Sequence, residues 1–166
     1  MTVLAEIHGA HDATFETVGG RQVVAHYGRP ESAHRAVRNA VGVTEHCYDV
    51  VVVTGADRHE YVDNAVSNAV PSTDGRGTYA LLLDPQGRVE TDMYVFNAEE
   101  RLLTFLPPGQ GTPLAEEWRE KTFIQDVDIA VETDEFVTLG IHGPKATEKI
   151  ASVFTEQTPD EQLSFV

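Results

Sequence analysis

The sequence holds one cysteine, Cys47, and only three lysines, Lys121, Lys145 and Lys149. A lone cysteine excludes an internal disulfide framework and fits a reducing compartment, so a cytoplasmic location is expected. No run approaches the roughly 18 consecutive apolar residues that a membrane-spanning helix needs. The first residues lack the basic start and apolar stretch of a signal peptide, because Glu6, His8 and His11 interrupt them, and no leader is expected. Phosphate loops are missing too: neither Gly75/Gly77 nor Gly109/Gly111 is followed by Lys-Ser/Thr.

What is abundant is acid. Twenty-seven Asp and Glu face twelve Lys and Arg, for a net charge of −15. With no local basic patch, such a chain repels nucleic acid and anionic lipid, so neither is expected as a partner. The acids are scattered through foldable sequence rather than gathered in a tail, which argues against disorder. Scattered acid with little lysine is the pattern expected of a protein from a high-salt cytosol, where screening shrinks to about 3 Å at 1 M.

Seven histidines raise the question of a metal. His8 and His11 stand three apart in a segment without helical support, and His46-Cys47 supplies two ligands with no CxxC or HxxxH to complete them. A structural zinc site takes about four ligands, so no metal site is expected. Cys47 has no visible base beside it and reads as a small packing residue.

Along the chain, Ala13–Val18 and Arg21–Tyr27 form extended runs around the turn dipeptide Gly19-Gly20. Pro30 and Glu31 start a helix, with Ala33, Ala36, Val37 and Ala40 at 3,4 spacing and Gly42 as its C-cap. Tyr48–Thr54 is a nearly continuous apolar run, read as a central strand covered on both faces. Asp57 is expected to N-cap a helix whose buried stripe runs from Tyr61 to Ala69. Arg101–Leu106 reads as a strand, Pro113–Lys121 as a helix, Val127–Thr133 and Phe136–His142 as strands, and Ala146–Phe154 as a helix. Gln162–Val166 is strand-like, so the chain is expected to be part of a longer protein or a shortened form of one. Local hairpins mixed with helical crossovers predict an α+β fold with a mostly antiparallel sheet and packed helices.

The stretch Gly77–Phe96 stands out as a hairpin around the turn Asp84-Pro85-Gln86-Gly87. Asp92 sits inside its second strand, just before Met93-Tyr94-Val95-Phe96, where an unpaired buried charge is expensive. Either it lies on the solvent face or caps a turn, or it is a carboxylate placed for chemistry. The remaining aspartates singled out (Asp12, Asp57, Asp74, Asp126 and Asp134) fall in turns or caps.

Four segments, in order, carry a family resemblance: Gly42-Val-Thr-Glu45 with the strand to Asp57, Gly77–Asp84, Gly87–Met93, and Leu139–Ala146. Together they resemble the N-terminal half of the glycine-cleavage T-protein (aminomethyltransferase) family and its folate-binding relatives. The resemblance implies ferredoxin-like subdomains of the aminomethyltransferase folate-binding fold, arranged in longer members around a channel for tetrahydrofolate. It implies that residues 1–166 are an N-terminal folate-binding region, with Asp92 as the essential carboxylate and pterin contact and Tyr79 as a second pterin contact. A lipoyl-carrying protein is the implied one-carbon donor, and the isolated chain is expected to be inactive.

Three departures stand against the family pattern. Thr91 precedes Asp92 where paired acids are common, Phe105-Leu-Pro-Pro-Gly109 replaces an asparagine-containing motif, and His46-Cys47-Tyr48 replaces a Ser-His-Met type sequence. They keep alternatives open: a non-catalytic folate-binding protein related to iron–sulfur protein maintenance, a folate-dependent demethylase of sulfur compounds, or a domain with no ligand. The charge pattern makes its own prediction. The urea midpoint of this chain rises between dilute buffer and molar KCl, and a flat or falling midpoint rejects the high-salt reading.

Overall fold

The computed structural model describes residues 4–155, 158–159 and 161–165. In chain order its elements begin with helix α1 (Ala5–Ala10), strands β1 (Thr14–Val18) and β2 (Arg21–His26), and helix α2 (Pro30–Asn39). Strands β3 (Gly42–His46) and β4 (Asp49–Thr54), helix α3 (Arg58–Ala65) and strands β5 (Arg76–Leu83), β6 (Val89–Ala98) and β7 (Arg101–Leu106) follow. Helix α4 (Gly111–Glu120), strand β8 (Asp128–Val131), a 3-10 turn at Thr133–Glu135, strand β9 (Thr138–His142) and helix α5 (Ala146–Ala151) complete the order. Two units result: Met1–Cys47 with Val137–Thr158, and Tyr48–Phe136 with Pro159–Phe165. Among the described residues, no helix is long and apolar enough to cross a membrane.

The unit containing Tyr48–Phe136 is built on one antiparallel sheet in the order β5-β6-β7-β4-β8. Strands β4, β6, β7 and β8 with helices α3 and α4 follow the split β-α-β, ferredoxin-like connectivity, and β5 adds an edge strand. The expected α+β, mostly antiparallel fold is what the chain adopts. Strand β4 lies between β7 and β8, one place from the edge rather than at the centre as expected, but Val50 to Val53 are all 0–3% exposed, as the continuous β-branched run predicted. On one face Val51, Val53, Met93, Val95, Leu102, Leu106 and Ile129 meet Val62 of α3 and Leu114, Ala115 and Trp118 of α4. Tyr61 packs edge-on to Trp118 and donates its hydroxyl proton to the Trp118 carbonyl at 2.7 Å.

The buried carboxylate of this unit is one the sequence did not single out. Asp49 opens β4 at 8% exposure, and its Oδ2 accepts from Gly109 N at 2.9 Å and Gly111 N at 2.8 Å. Gly111 is the first residue of α4, so the carboxylate satisfies a helix-start donor and sits at the positive end of that helix. A methyl at Gly111 would approach Asp49 Cβ to 2.8 Å, so only glycine lets the loop come this close.

The other unit pairs β1 with β2 across Gly19-Gly20, and β3 with β9. Helix α1 forms where no helix was expected, and the reason is tertiary. Its His8 is 6% exposed, with Nδ1 2.7 Å from the Tyr27 hydroxyl and Nε2 2.6 Å from Glu45 Oε2 on β3. Strand β3 was not expected either, since its partner β9 lies some ninety residues on. Within α2, Ala33 and Ala36 are exposed despite their spacing, and Val37 is half-buried.

One expected cap bond is absent and two helix ends differ from expectation. Asp57 stands at the N-cap of α3, but its Oδ2 accepts from Asp126 N at 2.7 Å and makes no cap bond. Helix α3 stops at Ala65 rather than Ala69, because Val66 is extended and the chain turns to run beside β5. Helix α5 stops at Ala151, where Ser152 Oγ donates to the Lys149 carbonyl at 2.7 Å. In the expected C-terminal strand, Ser164 makes a single bridge to Arg76, and Val166 lies outside the described residues.

Replacing Asp49 with alanine leaves two backbone donors unpaired, at about 1–3 kcal/mol for each that stays buried. Urea unfolding of the variant shows a loss of that size, and Asp49→Asn, which keeps one acceptor oxygen, recovers part of it.

Candidate functional site

Strand β6 alternates from Asp92 to Ala98, past an irregularity near Glu90. Met93, Val95 and Asn97 point to the helix side and are buried, while Asp92, Tyr94 and Phe96 point to the other face and are half-buried. Asp92 is therefore neither in the apolar core nor at a turn. In the β5–β6 ladder Tyr79 stands opposite Tyr94 and Leu81 opposite Asp92. The N–H and C=O of Leu81 both point away from β6, bonding to Ser67 Oγ at 3.0 Å and Ser67 N at 2.9 Å. These are thus narrow, non-hydrogen-bonded pairs, in which side chains on one face come close. Tyr79 reaches diagonally across and donates its hydroxyl proton to Asp92 Oδ2 at 2.9 Å.

The two residues singled out from the sequence are in contact. That hydrogen bond, helped by partial burial and by the Asp92 charge itself, raises the Tyr79 phenol above its usual value near 10. The backbone behind Tyr79 is fixed from outside: Asn68 Nδ2 donates to the Tyr79 carbonyl at 2.7 Å. Ser67 and Asn68 follow α3 directly, so the early end of that helix serves the site.

Around this pair lies an aromatic surface that sequence reasoning did not assemble. Tyr79 and Tyr94 rings are 5.1 Å apart, and Tyr94 stacks on Phe96 at 6.4 Å with 20° between planes. Tyr48 stands edge-on to Tyr94 at 6.3 Å, and Phe105 edge-on to Phe96 at 5.8 Å. Separations and tilts of this kind are those aromatic pairs prefer. Gly77 lies beneath the Phe96 ring, which would come within 2.4 Å of any added Cβ. The signal available in sequence was the alternation Asp92, Tyr94, Phe96; its continuation onto β7 and β4 depends on strand order.

The departures noted in sequence have structural uses. Thr91 Oγ1 lies 3.4 Å from the Asp92 carbonyl, and the Pro107–Gly109 loop supplies the Gly109 N–H that Asp49 holds. A groove of about 620 Å³ between α3 and α4 lies on the helix side, lined by Glu60, Tyr61, Glu117, Trp118 and Lys121 among others. Neither Tyr79 nor Asp92 lines it.

With this geometry in view, the model of the GCVT N-terminal domain matches residues 4–166. The chain belongs to that family. It is 28% identical over 153 residues to an aminomethyltransferase of Saccharopolyspora erythraea, covering 90% of this chain and 42% of that protein. An aminomethyltransferase of Alcanivorax borkumensis is 30% identical over 166 residues, covering 96% and 45% respectively. The crystal structure of glycine cleavage system aminomethyltransferase T from Bartonella henselae superposes with a TM-score of 0.79 at 21% identity, covering 90% of this chain and 42% of that one. The superposition speaks to the fold. The chain spans somewhat under half the length of these relatives.

A titration checks the central contact. Absorbance of the tyrosines shows the Tyr79 and Tyr27 phenols ionising above the ordinary range, Tyr27 because of burial and the nearby Glu45 charge, and Asp92→Asn returns only Tyr79 toward it. Because the folded phenol is raised, the stability it contributes is complete below pH 10 and is lost as pH climbs through the raised value.

Proposed function

We propose that this chain is the N-terminal, folate-binding part of an aminomethyl-transferring protein of the glycine-cleavage T-protein type. The observation that carries the reading is the Tyr79–Asp92 hydrogen bond at the rim of the aromatic surface. Tetrahydrofolate carries a flat, π-rich pyrimidine ring fused to a reduced ring at its pterin end, with N–H donors along the edge. Tyr79 and Tyr94 offer ring faces and edges, and ionised Asp92 offers only acceptor oxygens, so the residues present fit it. The folate supplies N5, which accepts the one-carbon unit.

Asp92 then has two tasks. Its carboxylate orients the pterin by accepting ring N–H bonds. It also stabilises the positive charge that develops on the one-carbon unit as that unit leaves the sulfur of a lipoyl-carrying donor protein, an electrostatic contribution of the kind that dominates many enzymic rate enhancements. Tyr79 holds one Asp92 oxygen in place and leaves the second for the ligand.

A non-catalytic folate-binding role is the second reading. It is favoured by the Pro107–Gly109 loop, whose Gly109 N–H is committed to Asp49 where related proteins carry an asparagine-containing motif.

Calorimetry of tetrahydrofolate on the chain tests both. The wild type binds, and Asp92→Asn weakens binding by tenfold or more, about 1.4 kcal/mol or above. Equal binding by the two proteins removes Asp92 from the site, and no heat from either sinks both folate readings. Binding without aminomethyl transfer from a lipoyl carrier, measured on a protein carrying the remaining half of the relatives' length, selects the second.

A further inference from the structure

The β3–β9 ladder brings together two histidines that stand 96 positions apart in the sequence. Thr44 pairs with Gly140, and His46 and His142 flank that pair diagonally on the same face. His142 Nε2 lies 3.0 Å and His46 Nε2 3.4 Å from the single hydroxyl of Thr44. The rings are 5.7 Å apart and nearly perpendicular. Both nitrogens converge over Gly140: a Cβ built there would lie 2.3 Å from His46 Nε2 and 2.4 Å from His142 Nε2. The two nitrogens are therefore under about 5 Å apart, over a residue that has no Cβ to separate them.

We propose that His46 and His142 form a surface chelate for a late first-row divalent metal ion, with Thr44 and water completing the ligand set. Imidazole nitrogens at about 2.0–2.1 Å suit zinc, nickel and copper, and small side-chain rotations close the remaining gap. Among the described residues no three His, Cys, Asp or Glu side chains gather as they do in a structural zinc centre. The site is thus a two-nitrogen one, open to solvent through exposed His142 and Thr44. For such a donor set affinity follows the usual order, with Cu²⁺ above Zn²⁺. Each imidazole binds through the Nε2 lone pair and keeps its proton on Nδ1. The bound ion staples β3 to β9, two segments that meet only through folding, and binding to the folded form raises its stability.

The test uses the untagged chain, titrated by calorimetry with CuCl₂ and with ZnCl₂, beside His46→Gln, His142→Gln, the double variant and Gly140→Ala. The wild type takes up one Cu²⁺ more tightly than Zn²⁺, and its melting temperature rises with Cu²⁺. Each single histidine variant binds about tenfold or more weakly while keeping its circular dichroism. Electron paramagnetic resonance of the Cu²⁺ form shows two nitrogen couplings, reduced to one in either variant. Gly140→Ala places a methyl between the imidazoles and weakens binding to a similar degree; if it does not fold, the histidine variants decide alone. Unchanged stoichiometry and affinity in the double variant, or no binding by the wild type, overturns the proposal.

Discussion

A strand in a sheet covered by helices on one side can hand only every second side chain to that core. In β6 this period divides Met93, Val95 and Asn97 from Asp92, Tyr94 and Phe96, and the neighbouring strands comply. Ala80 and Leu82 face inward on β5, as do Leu102, Thr104 and Leu106 on β7. The opposite face then collects Tyr79, Tyr94, Phe96 and Phe105. A slip of one residue between β5 and β6 would exchange both sets, burying a carboxylate and exposing the aliphatic core. The turn at Asp84 opposes such a slip. Its Oδ1 accepts from Gln86 N and Arg88 N, its Oδ2 from Arg88 Nε, and these bonds hold its carboxyl below the usual range.

Two aspartates in this unit show how differently one side chain can be employed. Asp49 is enclosed, and Gly109 and Gly111 donate to it, so its charge organises the start of α4. Asp92 is held through one oxygen by a tyrosine that is itself 41% exposed. The first is explained by the fold alone. The second has spare acceptor capacity beside an aromatic surface, an arrangement that packing does not require.

What the sequence made legible follows the range of the interactions. The hairpin at Asp84–Gly87, the four valines of β4 and the apolar run of β7 are local patterns, and each forms its element where expected. Asp92 stood out by its place in a strand and Tyr79 was named through the family resemblance; one tight turn, thirteen residues in all, brings the two into contact. Elements sustained from a distance were not visible: α1 depends on His8 meeting Tyr27 and Glu45, and β3 depends on β9. Asp49 looked like the first polar residue of an apolar run, because its partners lie 60 and 62 positions away. The early end of α3 was hidden for the same reason, since its cause is the outer edge of β5 fourteen residues on, which Ser67 bonds.

That edge has a consequence for approach. An exposed outer strand ordinarily invites another extended chain to add beside it. Along β5 the outward carbonyl of Tyr79 is taken by Asn68, both outward groups of Leu81 are taken by Ser67, and Gly77 N donates to the Leu163 carbonyl at 2.7 Å. Much of the sheet border nearest Asp92 is thus already committed and poorly placed for main-chain recognition. If Tyr79 and Asp92 bind folate as proposed, the ligand is read by rings and one carboxylate rather than by main-chain pairing along this edge.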